Sequence, residues 1–440
     1  MLTRFVVLLA LLLAPLAAPA ATTRNDDSCD IGLAPAATLL LPYFEVDLGS
    51  RSGENTIFTI TNTAANDQIA HVTIWTDYAY PVLSFDLFLT GYDAQGINLY
   101  DLLVLGRIAP PFGTGTTVSY RGDFSGANPA LNLAQCDTIS SVPPNTLTRV
   151  QQALTVGRVP GCDIVGSDKR PSRRATGYAT IDVVSACRSQ LTPADPAYYD
   201  GMLRYDNVLT GDYQQINVSQ NFAQGSPLVH IRAIPEGGTA GERAANPHLY
   251  KVNFPRTFYG RYQSGASTVS NARQPLPTVF AARWIAGGTV TFNTDMIIWR
   301  EATAGPNAPC AAYGEVPSFA ETATFDAEES VAGFVSFCPV TCLDLEPRLA
   351  SAGRYSTTDR YVFPRAPRAS LTGWIYLNLA RRAPRQPLQA WVAISMRAEG
   401  RYSATLDAAM LGNGCSPAAD DSEVKRSTGI TIGPLPNGNP

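Results

Sequence analysis

Between Thr56 and Asp93 the chain reads TIFTITNTAANDQIAHVTIWTDYAYPVLSFDLFLTGYD, and three runs in it alternate apolar and polar residues: 56–61, 71–77 and 84–90. Such alternation marks strands with one buried face. In the third run Phe85, Leu87 and Leu89 share one face, with Ser84, Asp86 and Thr90 on the other. Turn formers separate the runs: Asn62 to Asp67, then a loop holding Pro81. The block predicts antiparallel sheet, with His71 on a polar, solvent-facing side.

The same pattern continues on either side. Residues 38–48 read as an extended edge strand, because Pro42 lacks the N–H a central strand needs. Strands are predicted over 174–187, in two or three pieces of 206–233, and over 278–286, 288–293, 296–301, 321–325, 334–338, 370–379, 389–398 and 401–406. Residues 97–105 fit either a strand or one or two helical turns, and 193–203 a short helix with Asp195-Pro196 near its start. The Gly, Pro, Asn and Thr of 110–160 read as long loops. The fold class expected is all-β: tandem antiparallel β-sandwich domains, immunoglobulin-like or jelly-roll-like, with long loops and few short helices.

PEGGTAG, residues 235–241, is the strongest linker signal. The domain plan is a first sandwich over 21–235, a linker over 236–255, a second sandwich over 256–415 and a disordered tail over 416–440. An internal duplication is expected from three ordered matches. Ala175–Val183 (ATGYATIDV) matches Leu371–Leu379 (LTGWIYLNL), which aligns Asp182 with Asn378. HVTIWTD (71–77) matches DMIIWRE (295–301), and TGYDAQG (90–96) matches TFDAEES (324–330). That alignment makes Trp75 the counterpart of Trp299.

Composition adds a compartment. Arg4, the apolar run 5–13 and Ala18-Pro19-Ala20 form a Sec-type signal peptide over 1–20, cleaved after Ala20, with no transmembrane anchor thereafter. The protein is therefore expected to be secreted or periplasmic. Eight cysteines in such a chain read as disulfides. Cys136 and Cys162 are expected to pair, Cys338 and Cys342 form the corresponding pair in the second copy, and Cys29, Cys187, Cys310 and Cys415 complete the set. Cys338 and Cys342 have a zinc-like spacing but no second pair or His pair nearby, so no metal or other cofactor is expected. A net charge of −4 supplies no basic footprint for nucleic acid.

Catalytic motifs are missing: no GxSxG, HExxH, P-loop or GxGxxG occurs. The histidines, His71, His230 and His248, are expected to be structural or at the surface. Asp77, Asp86, Glu301 and Glu328 could serve a glycosidase, but their spacing singles out none of them. Trp75, Trp299 and Trp374 are candidate ligand-facing aromatics, weighed against packing between domains. The segments LLLPYFEVDL (39–48), WTDYAYPVLSFDLFLTGYDAQGINL (75–99) and NVLTGDYQQINVSQNFAQGSPLVHI (207–231) resemble a group of uncharacterised secreted bacterial proteins. The resemblance implies export and brings no catalytic residues. The expected role is structural or binding, non-catalytic and at the cell exterior, with a cell-surface protein or glycan as partner. The alternative is a secreted carbohydrate-binding protein or glycoside-acting hydrolase.

Overall fold

The computed structural model describes residues 31–108, 126–133, 141–164, 173–199, 202–233, 257–262, 273–289, 291–302, 319–329, 331–335, 350–357, 371–381, 388–398 and 400–411, with residues 304, 308 and 313. The expected signal peptide, linker and tail, His248 and Cys29, Cys136, Cys310, Cys338, Cys342 and Cys415 lie outside them, as does the Cys162 side chain.

The fold is all-β and antiparallel. The first half runs β1 (Thr38–Asp47), β2 (Glu54–Asn62), β3 (Gln68–Thr76), β4 (Pro81–Leu89), β5 (Ala94–Asn98), α1 (Leu99–Leu105), α2 (Pro144–Val156), β6 (Arg158–Val159), β7 (Cys162–Asp163), β8 (Arg174–Val184), α3 (Pro196–Tyr199), β9 (Leu209–Asn217), β10 (Phe222–Pro227) and β11 (Val229–Ile231). The second half runs β12 (Val279–Ile285), β13 (Phe292–Arg300), β14 (Phe319–Asp326), β15 (Val331–Val335), β16 (Ala352–Ser356), β17 (Thr372–Arg381), β18 (Ala390–Ala398), β19 (Tyr402–Asp407) and β20 (Ala409–Leu411).

Four main sheets result: sheet 1, β11-β1-β8-β3-β4; sheet 2, β10-β9-β2-β5; sheet 3, β20-β12-β17-β14-β15; and sheet 4, β19-β18-β13-β16. Sheets 3 and 4 repeat sheets 1 and 2 strand for strand in chain order, and among the described residues α1, α2, β6, β7 and α3 have no counterpart in the second half. Details of register agree. Thr38 faces Asp182 where Val279 faces Asn378. The Thr56 hydroxyl brackets the backbone N–H and C=O of Glu45 at 3.2 and 3.1 Å, and Thr294 brackets those of Ile285 at 2.9 and 2.8 Å. A Cβ on Gly177 would lie 2.1 Å from the Trp75 carbonyl oxygen and 2.8 Å from the Phe44 ring. On Gly373 it would lie 1.9 Å from the Phe325 oxygen and 2.8 Å from the Trp284 ring.

These equivalences place the match of 175–183 with 371–379 on equivalent central strands, β8 and β17. They overturn the other two matches. β3 lies in a five-stranded sheet and β13 in a four-stranded one, so Trp75 corresponds to Phe325 and Trp299 to Thr61. A tryptophan in an alternating strand carries too little information to fix which sheet that strand joins.

Local chemistry explains several element ends. Asn98 caps α1 by accepting from the N–H groups of Tyr100 and Asp101, and Gly106 closes it at φ 68°. α2 replaces part of the expected loop over 110–160. Its signals were a Pro at the first turn, Gly157 at φ 71° and buried Val150, Ala153 and Leu154 on one face. β1 is not an edge strand: β11 and β8 flank it, and Pro42 sits where the register shifts between Leu41 and Phe44. The strands expected over 288–293 and 296–301 are one strand, β13, preceded by a turn with Gly287 and Gly288 at positive φ.

Three cores separate the four sheets. Leu39, Leu41, Phe44, Phe58, Ile60, Val72, Ile74, Ile181 and Tyr213 fill the space between sheets 1 and 2. Phe280, Trp284, Met296, Ile298, Leu377 and Ile394 fill the space between sheets 3 and 4. The third core joins the halves, with Leu40, Tyr43, Trp75 and Tyr178 of sheet 1 against Ile297, Trp299 and Ala393 of sheet 4. Sheet 1 is therefore covered on both faces, and every residue of β3 is buried.

Candidate functional site

The strongest concentration of polar and aromatic chemistry lies in the seam between sheets 1 and 4. Cross-strand pairing lines up Asp86 of β4, His71 of β3, Asp182 of β8 and Thr38 of β1 on the seam face. His71 is fully buried, and its Nδ1 lies 2.7 Å from Asp86 Oδ1. Nε2 has no hydrogen-bond partner among the described residues. The alternating sequence suggested a solvent-facing His71. Tyr198 of α3 lies over that face instead, its ring centre 5.4 Å from that of the imidazole.

Asp182 is the hub. It accepts from the Thr38 hydroxyl and, at 2.7 Å each, from those of Tyr198 and Tyr259. Arg273, fully buried, stands 3.6 Å away and donates to Thr38 and to the Arg204 carbonyl. Tyr198 comes from α3, whereas Tyr259 and Arg273 come from the segment joining the halves. A carboxylate and a guanidinium taken out of water together thus clamp the connection onto sheet 1. Burial, and then the Asp182 charge, raise the Tyr198 and Tyr259 hydroxyls well above the usual tyrosine pKa.

An aromatic stack adjoins this cluster. Trp75 lies parallel to Tyr178 at 5.6 Å between centroids, and Tyr262 covers Trp75 at 6.1 Å. Trp299 meets Tyr178 edge-on at 5.9 Å. The Arg261 guanidinium sits 4.4 Å from the Tyr262 ring centre. Burial pushes the Tyr178 hydroxyl up to about 12, although Arg261 opposes it. On the far side Arg354 of β16 reaches Glu54, at 3.3 Å, and Gln215 of the first half, and lies over the Tyr43 ring. Burial alone would lower the Arg354 pKa; Tyr43, Glu45 and Glu54 hold it above the ordinary value.

The candidate aromatics therefore separate. Trp75 and Trp299 are 1% and 3% exposed, packed in the seam, and offer a ligand no free face. Trp374 is half-buried on the outer face of sheet 3, with the Arg283 guanidinium 4.6 Å from its ring centre. The candidate carboxylates are dispersed. Asp86 is tied to His71, Glu301 accepts from Gln389 at 3.1 Å, Asp77 accepts from Thr176 at 3.3 Å, and Glu328 lies in an exposed turn. A surface pocket of about 110 Å³ is lined by Ser84, Asp86, Ser141, Thr146 and Ser189, so one carboxylate reaches it. Cys187 is buried and is not a free thiol. Among the described residues no His, Cys, Asp and Glu group with the makings of a metal site occurs.

Sequence reasoning missed Asp182, Arg273, Tyr198, Tyr259, Arg261 and Arg354 as a set. One signal was available: Asp182 stands between Ile181 and Val183 in a strand buried on both sides. In comparisons with family profiles, curated proteins and solved structures, nothing matches this chain.

Proposed function

We propose that the protein is a secreted or periplasmic, disulfide-stabilised binding or structural module of the cell exterior. The observation that carries this reading is where the polar chemistry goes. The buried Asp182–Arg273 and Glu54–Arg354 pairs are spent on joining two sandwiches, and the half-buried Trp374 with Arg283 remains on an outer sheet face. A rigid four-sheet body presenting outer faces and sheet edges suits contact better than turnover. The leader-like residues 1–20, the even number of cysteines and the bonded state of Cys187 support export. The test is expression of the full chain with its own leader. Recovery outside the cytoplasm, trimmed at its N-terminus and without free thiols, is expected. Retention in the cytoplasm with eight titratable thiols would contradict the reading.

A second reading is glycan binding or glycoside hydrolysis. It is favoured by Trp374, whose ring is flanked by Arg283 and followed two residues on by Tyr376 on the same outer face. Glycan-array binding lost in Trp374→Ala would support it. Release of reducing sugar by the wild-type chain would replace the non-catalytic reading with the hydrolase.

A further inference from the structure

Cys187 stands three residues beyond the end of β8, the strand that carries Asp182. It is buried and disulfide-bonded, and its partner is one of the seven other cysteines. A disulfide needs its two Cα atoms about 4.4–6.8 Å apart, so the chain packed around Cys187 decides between them.

Residues 130–132 lie against the end of β8. Asn132 and Ala186 form a parallel bridge, and the Asn132 N–H donates to the Ser185 carbonyl at 2.7 Å. Arg204 donates from its backbone to the Val183 carbonyl at 2.9 Å and from its side chain to the Ala130 carbonyl at 3.3 Å. Because the bridge is parallel, the chain leaves Asn132 in the direction in which β8 runs on to Cys187. Cys136 follows Leu133 by three residues, at most about 11 Å of chain.

The other cysteines attach to the fold elsewhere. Cys310 is three residues from Tyr313, whose ring centre lies 5.1 Å from that of Tyr80. The Tyr80 carbonyl accepts from Thr76, which pairs with Gly177. Seven residues of β8, about 23 Å, separate Gly177 from Val184. Val159, the cross-strand partner of Cys162, belongs to the same small apolar cluster as Tyr313. Cys338, Cys342 and Cys415 follow strands of sheet 3, which sheet 4 separates from sheet 1. Cys29 lies five residues before Ala34, whose carbonyl oxygen is 3.1 Å from His230 Nδ1 on β11, two strands across from β8.

We propose that Cys136 and Cys187 form a disulfide that pins residues 130–136 to the end of β8. The two thiols give up two protons and two electrons, and a protein disulfide of the exporting compartment accepts them and becomes a dithiol. The proposal rests on the export reading, which supplies that oxidant, and names a pairing which that reading leaves open. It gives Cys136 a partner other than Cys162.

Tryptic digestion without reduction tests it, on the full chain expressed with its own leader and with free thiols blocked first. Mass spectrometry should find residues 122–149 joined to residues 175–188, and reduction should separate the two. In Cys136→Ser, alkylation after denaturation should label Cys187 alone. Residues 122–149 joined to 159–169, which hold Cys162, overturn the pairing and leave the export reading standing. Cys187 joined to the fragment that holds Cys29 does the same. Eight cysteines that all alkylate without reduction overturn both.

Discussion

Replacing Asp182 with alanine would leave Arg273 charged, fully buried and without its carboxylate, and would strip the acceptor from Thr38, Tyr198 and Tyr259. Breaking a buried ion pair from one side costs about 3–5 kcal/mol. Hydrogen bonds to a charged acceptor contribute roughly 1.5–3 kcal/mol each, but here they share one carboxylate and do not add. A loss of about 4–6 kcal/mol is expected, a large share of the roughly 5–15 kcal/mol that holds a typical fold. Asp182→Asn keeps shape and an acceptor, and Asn378 holds the equivalent place in the second half. It should cost about half as much. Asp182→Leu combined with Arg273→Met removes both charges and should recover most of the loss, because an apolar replacement of a buried pair is often close to neutral. Urea unfolding followed by tryptophan fluorescence reads all three, provided the slope with denaturant stays constant. A loss in Asp182→Ala of under about 1 kcal/mol, the range of an exposed ion pair, would refute the reasoning. So would a double variant no more stable than the single one.

Two further outcomes follow from the seam and the repeat. Tyr43, Tyr198, Tyr199, Tyr259 and Tyr262 are raised well above the usual value by burial, and Tyr178 reaches about 12. Their folded-state pKa values exceed the unfolded ones, so this stabilisation is fully present below about pH 10 and is lost as pH rises through the folded values. Tyrosinate absorbance should therefore lag and then rise together with unfolding; six seam tyrosines ionising near pH 10 in an intact fold would contradict this. Gly373→Ala would force a Cβ to 1.9 Å from the Phe325 carbonyl oxygen, between β17 and β14, and should cost about 3 kcal/mol by thermal unfolding. Gly96→Ala, with nothing within 4 Å, is the control and should change little.

Much of the fold was legible because alternation is enforced wherever one face of a strand is buried and the other is not. Phe85, Leu87 and Leu89 illustrate it: they are buried at every second position of β4. The same rule misleads at β3, where His71 and Thr73 are polar yet buried. Tyr198 of α3 packs against the His71 ring on that face, and Asp86 pairs with the His71 Nδ1. The seam cluster escaped because its members come from four separate stretches of chain; Arg273 and Thr38 are 235 positions apart. The Thr-Gly-aromatic match survived because a physical constraint fixes it: only glycine allows the neighbouring strand's carbonyl to approach so closely at residues 177 and 373. The Trp75 and Trp299 match had no such constraint behind it. α2 was overlooked although Pro144 and Gly157 bracket it, since the surrounding Pro, Gly and Asn suggested loop.

The central claim is that an aromatic and ionic seam fuses two copies of one sandwich plan into a single cooperative body. Differential scanning calorimetry of the intact chain, compared with Asp182→Ala, tests it most directly. The account predicts one transition whose calorimetric and van't Hoff enthalpies agree, splitting into two when Asp182 is removed. Two resolved transitions already present in the wild type, with positions that Asp182→Ala leaves unchanged, would contradict it.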